Sequence, residues 1–401
     1  MGGKLARLWD RAQSELLVRA ARARPDELVG QANAVLMQIG VTITVYLVDH
    51  QQRTLRPLPQ APAHAEPTSL DVEGTVAGRA FTTINTVSGM QAGHWWVPLI
   101  DDTERLGVVE FVSHRPVLHG EDLGGHGEVF ASLLAHLLAT KVDYGDVLHR
   151  VRRTRPMATS GELLLAMLPP STFACRELAI SAILEPAYEV GGDGFDYAVD
   201  QDKARFLVLD AMGHGLQAAL TTATVLATMR SARRDGQGLY AMAAAADTVL
   251  TEHFGDLRFV TAVLAELDVN TGALRYINAG HPPPVVVREH QVIADLHEGR
   301  RMPLGLGDGQ VDVAELALQP GDSLFFYTDG VVEARSSDGT QFGLQRLVDL
   351  AERHAAADLP APETLRRISQ SIRDHRQAPP ADDATMMLVE WSPLAARRTR
   401  P

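Results

Sequence analysis

Cysteine is almost missing from this sequence, and its one thiol, Cys175, makes neither an internal disulfide nor a cysteine-rich zinc site. That excludes disulfide-stapled scaffolds and zinc-finger folds, and leaves Cys175 as a packing residue. Position 181, six residues further on, is serine, so the paired Cys and Arg of a thiol phosphatase are also missing. No Gly-x-x-x-x-Gly-Lys-Ser/Thr loop is present, which argues against a P-loop nucleotide hydrolase. Basic charge is in deficit. The 37 Lys and Arg against 50 Asp and Glu give a net charge of -13, which offers nucleic acid no general attraction. Long apolar runs are lacking too. The most apolar helical stretch, 216–229, is short and interrupted by Gln217 and several threonines, so it does not read as a membrane span. Residues 1–10 carry Lys4, Arg7 and Asp10 without an apolar stretch, which argues against a signal peptide. The expectation is a cytoplasmic protein with neither a membrane nor a nucleic-acid partner.

What is present suffices for real hydrophobic cores: 401 residues, 45% hydrophobic and 22% charged, imply two or three globular domains. Residues 5–23 place Leu and Ala at helical spacing among Arg and Glu and stop before Pro25, predicting an amphipathic helix within a segment 1–24. The β-branched run 41–48 and the runs 95–100 and 107–113 predict strands, so 25–120 reads as a small α/β domain. Helical spacing returns over 128–144, and arginines 150, 152, 153 and 155 follow before Pro156, so 121–160 reads as a helical linker whose arginines face solvent. Leu133, Leu134, Leu137 and Leu138 give that helix an apolar stripe, which either pairs with a second copy in a homodimer or packs on the chain's own domain.

From 161 to 395 the pattern changes. Strand-like runs occur at 178–184, 205–209, 260–267, 274–278, 284–287, 311–318, 323–327 and 385–389, with helical spacing at 215–231, 239–253, 343–355 and 363–375. Asn270-Thr271-Gly272 between two runs is a hairpin signal. Because strands cluster instead of alternating with helices, the expected class is α+β, a β-sandwich flanked by helices.

Aspartates in this half share one context. Asp193 stands in Gly191-Gly192-Asp193-Gly194-Phe195-Asp196, Asp210 ends a strand before Ala211-Met212-Gly213-His214-Gly215, Asp329 ends another in Tyr327-Thr328-Asp329-Gly330, and Asp382-Asp383 precedes a third. Each alone is an ordinary Asp-Gly turn signal. Together, carboxylates at neighbouring strand ends can converge on one point, where hard divalent cations such as Mg²⁺ and Mn²⁺ find oxygen ligands. His214 and His281 sit in Gly- or Pro-containing turns and read as structural hydrogen-bonding residues, and Asp196 as a loop brace.

The motif order resembles the SpoIIE-type, or RsbU-type, branch of the PP2C metal-dependent protein phosphatases over roughly 163–391. The match rests on Glu189-Val190-Gly191-Gly192-Asp193-Gly194-Phe195-Asp196, Asp210-Ala211-Met212-Gly213-His214-Gly215, Asn278-Ala279-Gly280-His281-Pro282-Pro283, Tyr327-Thr328-Asp329-Gly330 and Asp382-Asp383-Ala384-Thr385. The resemblance implies a two-ion Mn²⁺ or Mg²⁺ phosphatase centre in which Asp193 and Asp210 bind metal, Asp210 bridges the ions, and Asp329 and Asp382 complete the second position. Asp383 is the alternative to Asp382. Ala211 stands where many relatives carry Gly and would contribute its backbone carbonyl. Two ions about 4 Å apart would activate water for in-line displacement at phosphorus. Eukaryotic-type members also use an N-terminal arginine for phosphate, and no position here matches it. The N-terminal half resembles a GAF sensory domain through Gly74-Thr75-Val76-Ala77-Gly78-Arg79-Ala80-Phe81, Val97-Pro98-Leu99-Ile100 and Glu104-Arg105-Leu106-Gly107-Val108-Val109-Glu110-Phe111, with a small-molecule or protein input implied. Trp95 and Trp96 there read as one core and one exposed residue of an alternating strand. The function implied is a protein-serine/threonine phosphatase acting on a phosphorylated anti-anti-sigma (STAS) protein in bacterial partner switching. The competing reading is a non-catalytic signalling scaffold of the same fold.

Overall fold

The computed structural model describes residues 2–59, 68–114, 121–185, 188–189, 191–254, 258–307, 312–357, 359–376 and 382–394. By internal contacts the chain divides between Arg155 and Pro156 into two compact units.

The first unit is built on a six-stranded antiparallel sheet. Its strands are β1 (Val41–Val48), β2 (Thr54–Pro57), β3 (Leu70–Asp71), β4 (Val87–Ser88), β5 (His94–Asp101) and β6 (Glu104–Ser113), in the order β3-β2-β1-β6-β5-β4. Helices α1 (Gly2–Ala20), α2 (Leu28–Leu36) and α4 (Glu121–Lys141) cover one face, and α3 (Val76–Thr83) covers the other. Both faces of β1 are therefore buried, which is why 41–48 is a continuous apolar and β-branched run. Trp95 packs into the core under α1 and α4 and Trp96 into the core under α3, so neither is the exposed partner that alternation predicts. The 121–160 segment is not a free linker. Phe130, Leu134 and Leu138 of α4 are buried with Trp9 and Leu16 of α1, and Leu133 and Leu137 pack against the same core. The leucine stripe is thus spent inside its own unit, and the packing alternative holds over the homodimer seam. A further helix, α5 (Val147–Arg152), buries Leu148, and Arg152 Nε donates to the Val48 carbonyl at 3.2 Å. Arg152 and Arg153 are thus half-buried against this unit, while Arg150 and Arg155 are exposed as the solvated-face reading expects.

The second unit is a layered sandwich. After α6 (Thr159–Met167) come β7 (Thr172–Ala174), β8 (Leu178–Glu185), β9 (Asp193–Asp200), β10 (Lys203–Ala211), α7 (Gly215–Arg234) and α8 (Leu239–His253). Then follow β11 (Val260–Asp268), β12 (Ala273–Ala279), β13 (Val285–Arg288), β14 (Gln291–Asp295), β15 (Arg300–Arg301), β16 (Ala314–Ala317) and β17 (Ser323–Tyr327). The chain closes with α9 (Asp329–Val332), α10 (Leu344–Ala356), α11 (Ala361–His375) and β18 (Ala384–Trp391). One sheet runs β15-β12-β11-β10-β9 with β16 on β12, and the other runs β14-β13-β17-β18-β8-β7. Inward residues such as Phe206, Val208, Phe326 and Val389 form the core between sheets. Outward residues of the first sheet, Leu207 and Leu209, pack under α7 and α8, and those of the second, Phe325 and Leu388, under α10 and α11. Central strands such as β8 and β11 are buried on both faces, and each fully buried apolar side chain contributes about 1.5–3 kcal/mol. The predicted run 311–318 shrinks to β16, its first position lying outside the described residues. The Asn270-Thr271-Gly272 turn joins β11 to β12 as predicted, with Gly272 at φ 77 and the Asp268 carboxylate accepting from Asn270 N and Thr271 N. Among the described residues no helix is long and apolar enough to cross a membrane.

Candidate active site

Strand parity places the aspartates. Asp193 shares the inward face of β9 with Phe195, and Asp210 shares the inward face of β10 with Phe206 and Val208. The two are direct antiparallel partners, so both carboxylates sit side by side at one end of the sandwich. Asp329, just after β17, and Asp382 and Asp383, just before β18, stand at the corresponding end of the facing sheet, where Tyr327 pairs with Met386.

Hydrogen bonds cross between the sheets here. Thr328 Oγ1 donates to Asp193 Oδ2 at 2.7 Å and accepts from Thr385 N at 2.9 Å. Asp383 Oδ2 accepts from Gly191 N at 2.7 Å and Gly192 N at 2.8 Å. Asp383 is buried and occupied in holding this loop, while Asp382 is exposed at the mouth. The glycines have steric reasons. A Cβ on Gly330 would lie 1.7 Å from the Asp383 carbonyl oxygen, and one on Gly192 would lie 2.5 Å from the Ala211 carbonyl oxygen. The left-handed positions of the turn after β10 fall on Gly213 and Gly215, so Ala211 keeps its carbonyl at the site without backbone strain.

Electrostatically the mouth is strained. Burial, then repulsion from Asp210 and Asp383, holds the Asp193 carboxyl well above the usual carboxylate range. Asp210 is pushed up to about 7 by burial and by the charges of Asp329, Asp382 and Asp383. Burial, then Asp382, also raises Asp329, and burial raises Asp383 despite its backbone donors. Among the described residues no three His, Cys, Asp or Glu side chains are drawn around a single point. The donor set nonetheless fits hard divalent cations: it is all oxygen and anionic, and burial and then carboxylate repulsion make Asp193, Asp210 and Asp329 bind protons too tightly. Asp193, Asp210, Asp329 and Asp382, with the Ala211 carbonyl, are the residues suited to hold such ions.

Of the remaining candidates, His281, Asp196 and Cys175 are held in packing or pairing roles. His281 is buried, its Nδ1 is 2.8 Å from Thr261 Oγ1, and burial drives its pKa down to about 3, so it is a neutral structural group. His214 is exposed at the N-terminus of α7. Asp196 points away from the mouth and pairs with Arg230 at 2.7 Å and Arg233 at 2.6 Å, fastening α7 to β9. Cys175 packs at the edge of the inter-sheet core. The orienting role of Thr328, within Tyr327-Thr328-Asp329-Gly330, and the loop-bracing role of Asp383 have no sequence signal beyond their positions.

Residues 200–392 match the profile of the family Stage II sporulation protein E (SpoIIE). Protein IcfG of Synechocystis sp. is 27% identical over 251 residues, covering 55% of this chain and 39% of that protein. The phosphoserine phosphatase RsbP of Bacillus subtilis is 26% identical over 225 residues, covering 53% of this chain and 52% of that protein. The chain spans about half the length or less of these relatives. The solved SiaA-PP2C domain of Pseudomonas aeruginosa has the same fold, with a TM-score of 0.50 at 22% identity over 58% of this chain and 94% of that domain. Residues 200–392 within the second unit therefore carry a SpoIIE family match, on a fold shared with a PP2C domain.

Proposed function

We propose that this chain is a metal-dependent phosphoserine/phosphothreonine protein phosphatase whose N-terminal unit, GAF-like, receives a small-molecule or protein signal. The observation that carries it is the gathering of Asp193, Asp210, Asp329 and Asp382 at one end of the sandwich, where the raised proton affinity of Asp193, Asp210 and Asp329 is one that cations would relieve. Two Mn²⁺ or Mg²⁺ ions, when bound, supply Lewis-acid charge that polarises the phosphoryl group and makes water nucleophilic near neutral pH. The chain's own part is to hold and orient. Asp193 is aligned by the Thr328 hydroxyl, whose acceptor side is taken by the Thr385 N–H and whose proton is thereby committed to the carboxylate. Asp383 fixes the Gly191-Gly192 backbone beside Ala211 and leaves Asp382 to face the mouth. Asp210 sheds its proton on loading, so cation affinity rises with pH up to about 7. The substrate class we assign is a phosphorylated STAS protein in cytoplasmic partner switching, supported by the SpoIIE family match and the likeness to RsbP. The test is to incubate the full chain with Mn²⁺ and a panel of phosphorylated STAS proteins, beside a generic phosphoester. Selective phosphate release is the expected result; binding without release makes the chain a scaffold instead.

A further inference from the structure

The acidic mouth poses a problem for a phosphatase, because a phosphoryl group brings further negative charge and no arginine had been matched to it from sequence. The C-terminal end of α11 supplies one. Two of its basic residues lie near the strand ends: Arg373 is tied to Glu185 and Ser369, whereas Arg376 is half-buried and donates Nη2 to the carbonyl of Gly330, the residue after Asp329. Among the described residues no carboxylate lies within ion-pair distance of Arg376, although the charges of Glu185, Asp382, Asp383 and Asp193 all act on it. A guanidinium carries five N–H donors in a planar fork; the one committed here anchors it, and the others have no partner among the described residues. An arginine so anchored beside Asp329, charged at any working pH and unneutralised by contact, suits bidentate capture of phosphoryl oxygens. We propose that Arg376 is the cation that binds the substrate phosphate in this site. The assignment rests on the phosphatase reading, and the experiment separates the two.

Full-length wild type, Arg376→Lys and Arg376→Gln are compared in Mn²⁺ by calorimetric titration with inorganic phosphate, by calorimetric titration with Mn²⁺, and by steady-state hydrolysis of p-nitrophenyl phosphate. Loss of a charge-assisted pair predicts phosphate binding and KM weakened by about 10- to 100-fold in Arg376→Gln, with a smaller loss in Arg376→Lys, which keeps the charge but not the fork, and Mn²⁺ affinity unchanged. A fall in kcat with phosphate binding and KM intact would show that Arg376 only pins the Asp329–Gly330 turn, and weakened Mn²⁺ binding would place its action on the cations; either overturns the proposal. If Arg376→Gln does not fold, a wild-type phosphate affinity in Arg376→Lys overturns it equally. Wild-type protein that binds phosphate but hydrolyses neither p-nitrophenyl phosphate nor a phosphorylated STAS protein defeats the phosphatase reading, while the arginine assignment is still decided by the phosphate titrations.

Discussion

Asp210→Asn should stabilise the metal-stripped protein at neutral pH while abolishing its proposed activity. Asp210 is raised from 3.8 to about 7 by burial and by Asp329, Asp382 and Asp383. An acid whose folded pKa lies above its unfolded one binds more protons when folded, so its stability contribution is intact below the unfolded value, near 4, and is lost as pH rises towards 7. Roughly three pKa units at about 1.36 kcal/mol each put the full penalty near 4 kcal/mol. Asparagine removes the charge but remains a buried polar amide costing about 1–2 kcal/mol, so the net gain at pH 7.5 is about 2–3 kcal/mol. Opening free energies for the β10 backbone, from amide exchange of the full chain in excess chelator, report this unit directly. The variant should exceed wild type at pH 7.5 and fall about 1–2 kcal/mol below it near pH 4, where the ionic penalty is gone and the cost of the amide remains. An Asp210→Asn protein equal to or less stable than wild type at pH 7.5 in chelator would refute the argument that these carboxylates are held together against their repulsion.

Three other perturbations test separate links. Leu134→Glu places a charge at a site with no solvent exposure and should cost about 3–5 kcal/mol, melting the first unit by circular dichroism; a folded variant that merely changes from dimer to monomer in sedimentation would restore the interface reading. Gly330→Ala forces a Cβ towards the Asp383 carbonyl and should displace the Asp329 turn, lowering kcat/KM by roughly 100-fold or more, equivalent to about 2.7 kcal/mol; kinetics like wild type would contradict the close packing. Thr328→Val keeps the shape but removes the donor to Asp193 and the acceptor for Thr385 N, and should weaken Mn²⁺ binding by about 1.5–3 kcal/mol in calorimetry; unchanged affinity would show that Thr328 does not orient the carboxylate.

The sandwich strands were legible where both faces are buried, since 178–184, 260–267 and 323–327 are predominantly apolar runs and coincide closely with β8, β11 and β17. β9 was not, because its first residues, Asp193-Gly194-Phe195-Asp196, carry turn chemistry for steric and electrostatic reasons of the site: Asp193 faces the mouth and Asp196 serves the α7 arginines. The leucines of α4 were legible as an apolar stripe, but a stripe does not name its partner, and only the packing shows Trp9 and Leu16 filling that role. The site aspartates were legible from their order along the chain. The division of labour between Asp382 and Asp383 was not, since it depends on which side chain turns towards the Gly191-Gly192 amides. Arg376 lies outside every motif and enters only through the end of α11.

The central claim is tested most directly by phosphate release from a phosphoserine protein by the metal-stripped full chain, measured before and after adding Mn²⁺, with Asp210→Asn in parallel. The account predicts no release without metal, turnover restored by Mn²⁺ in wild type, and none in the variant at saturating Mn²⁺. Undiminished turnover in excess chelator, or near-normal turnover by Asp210→Asn, would contradict it.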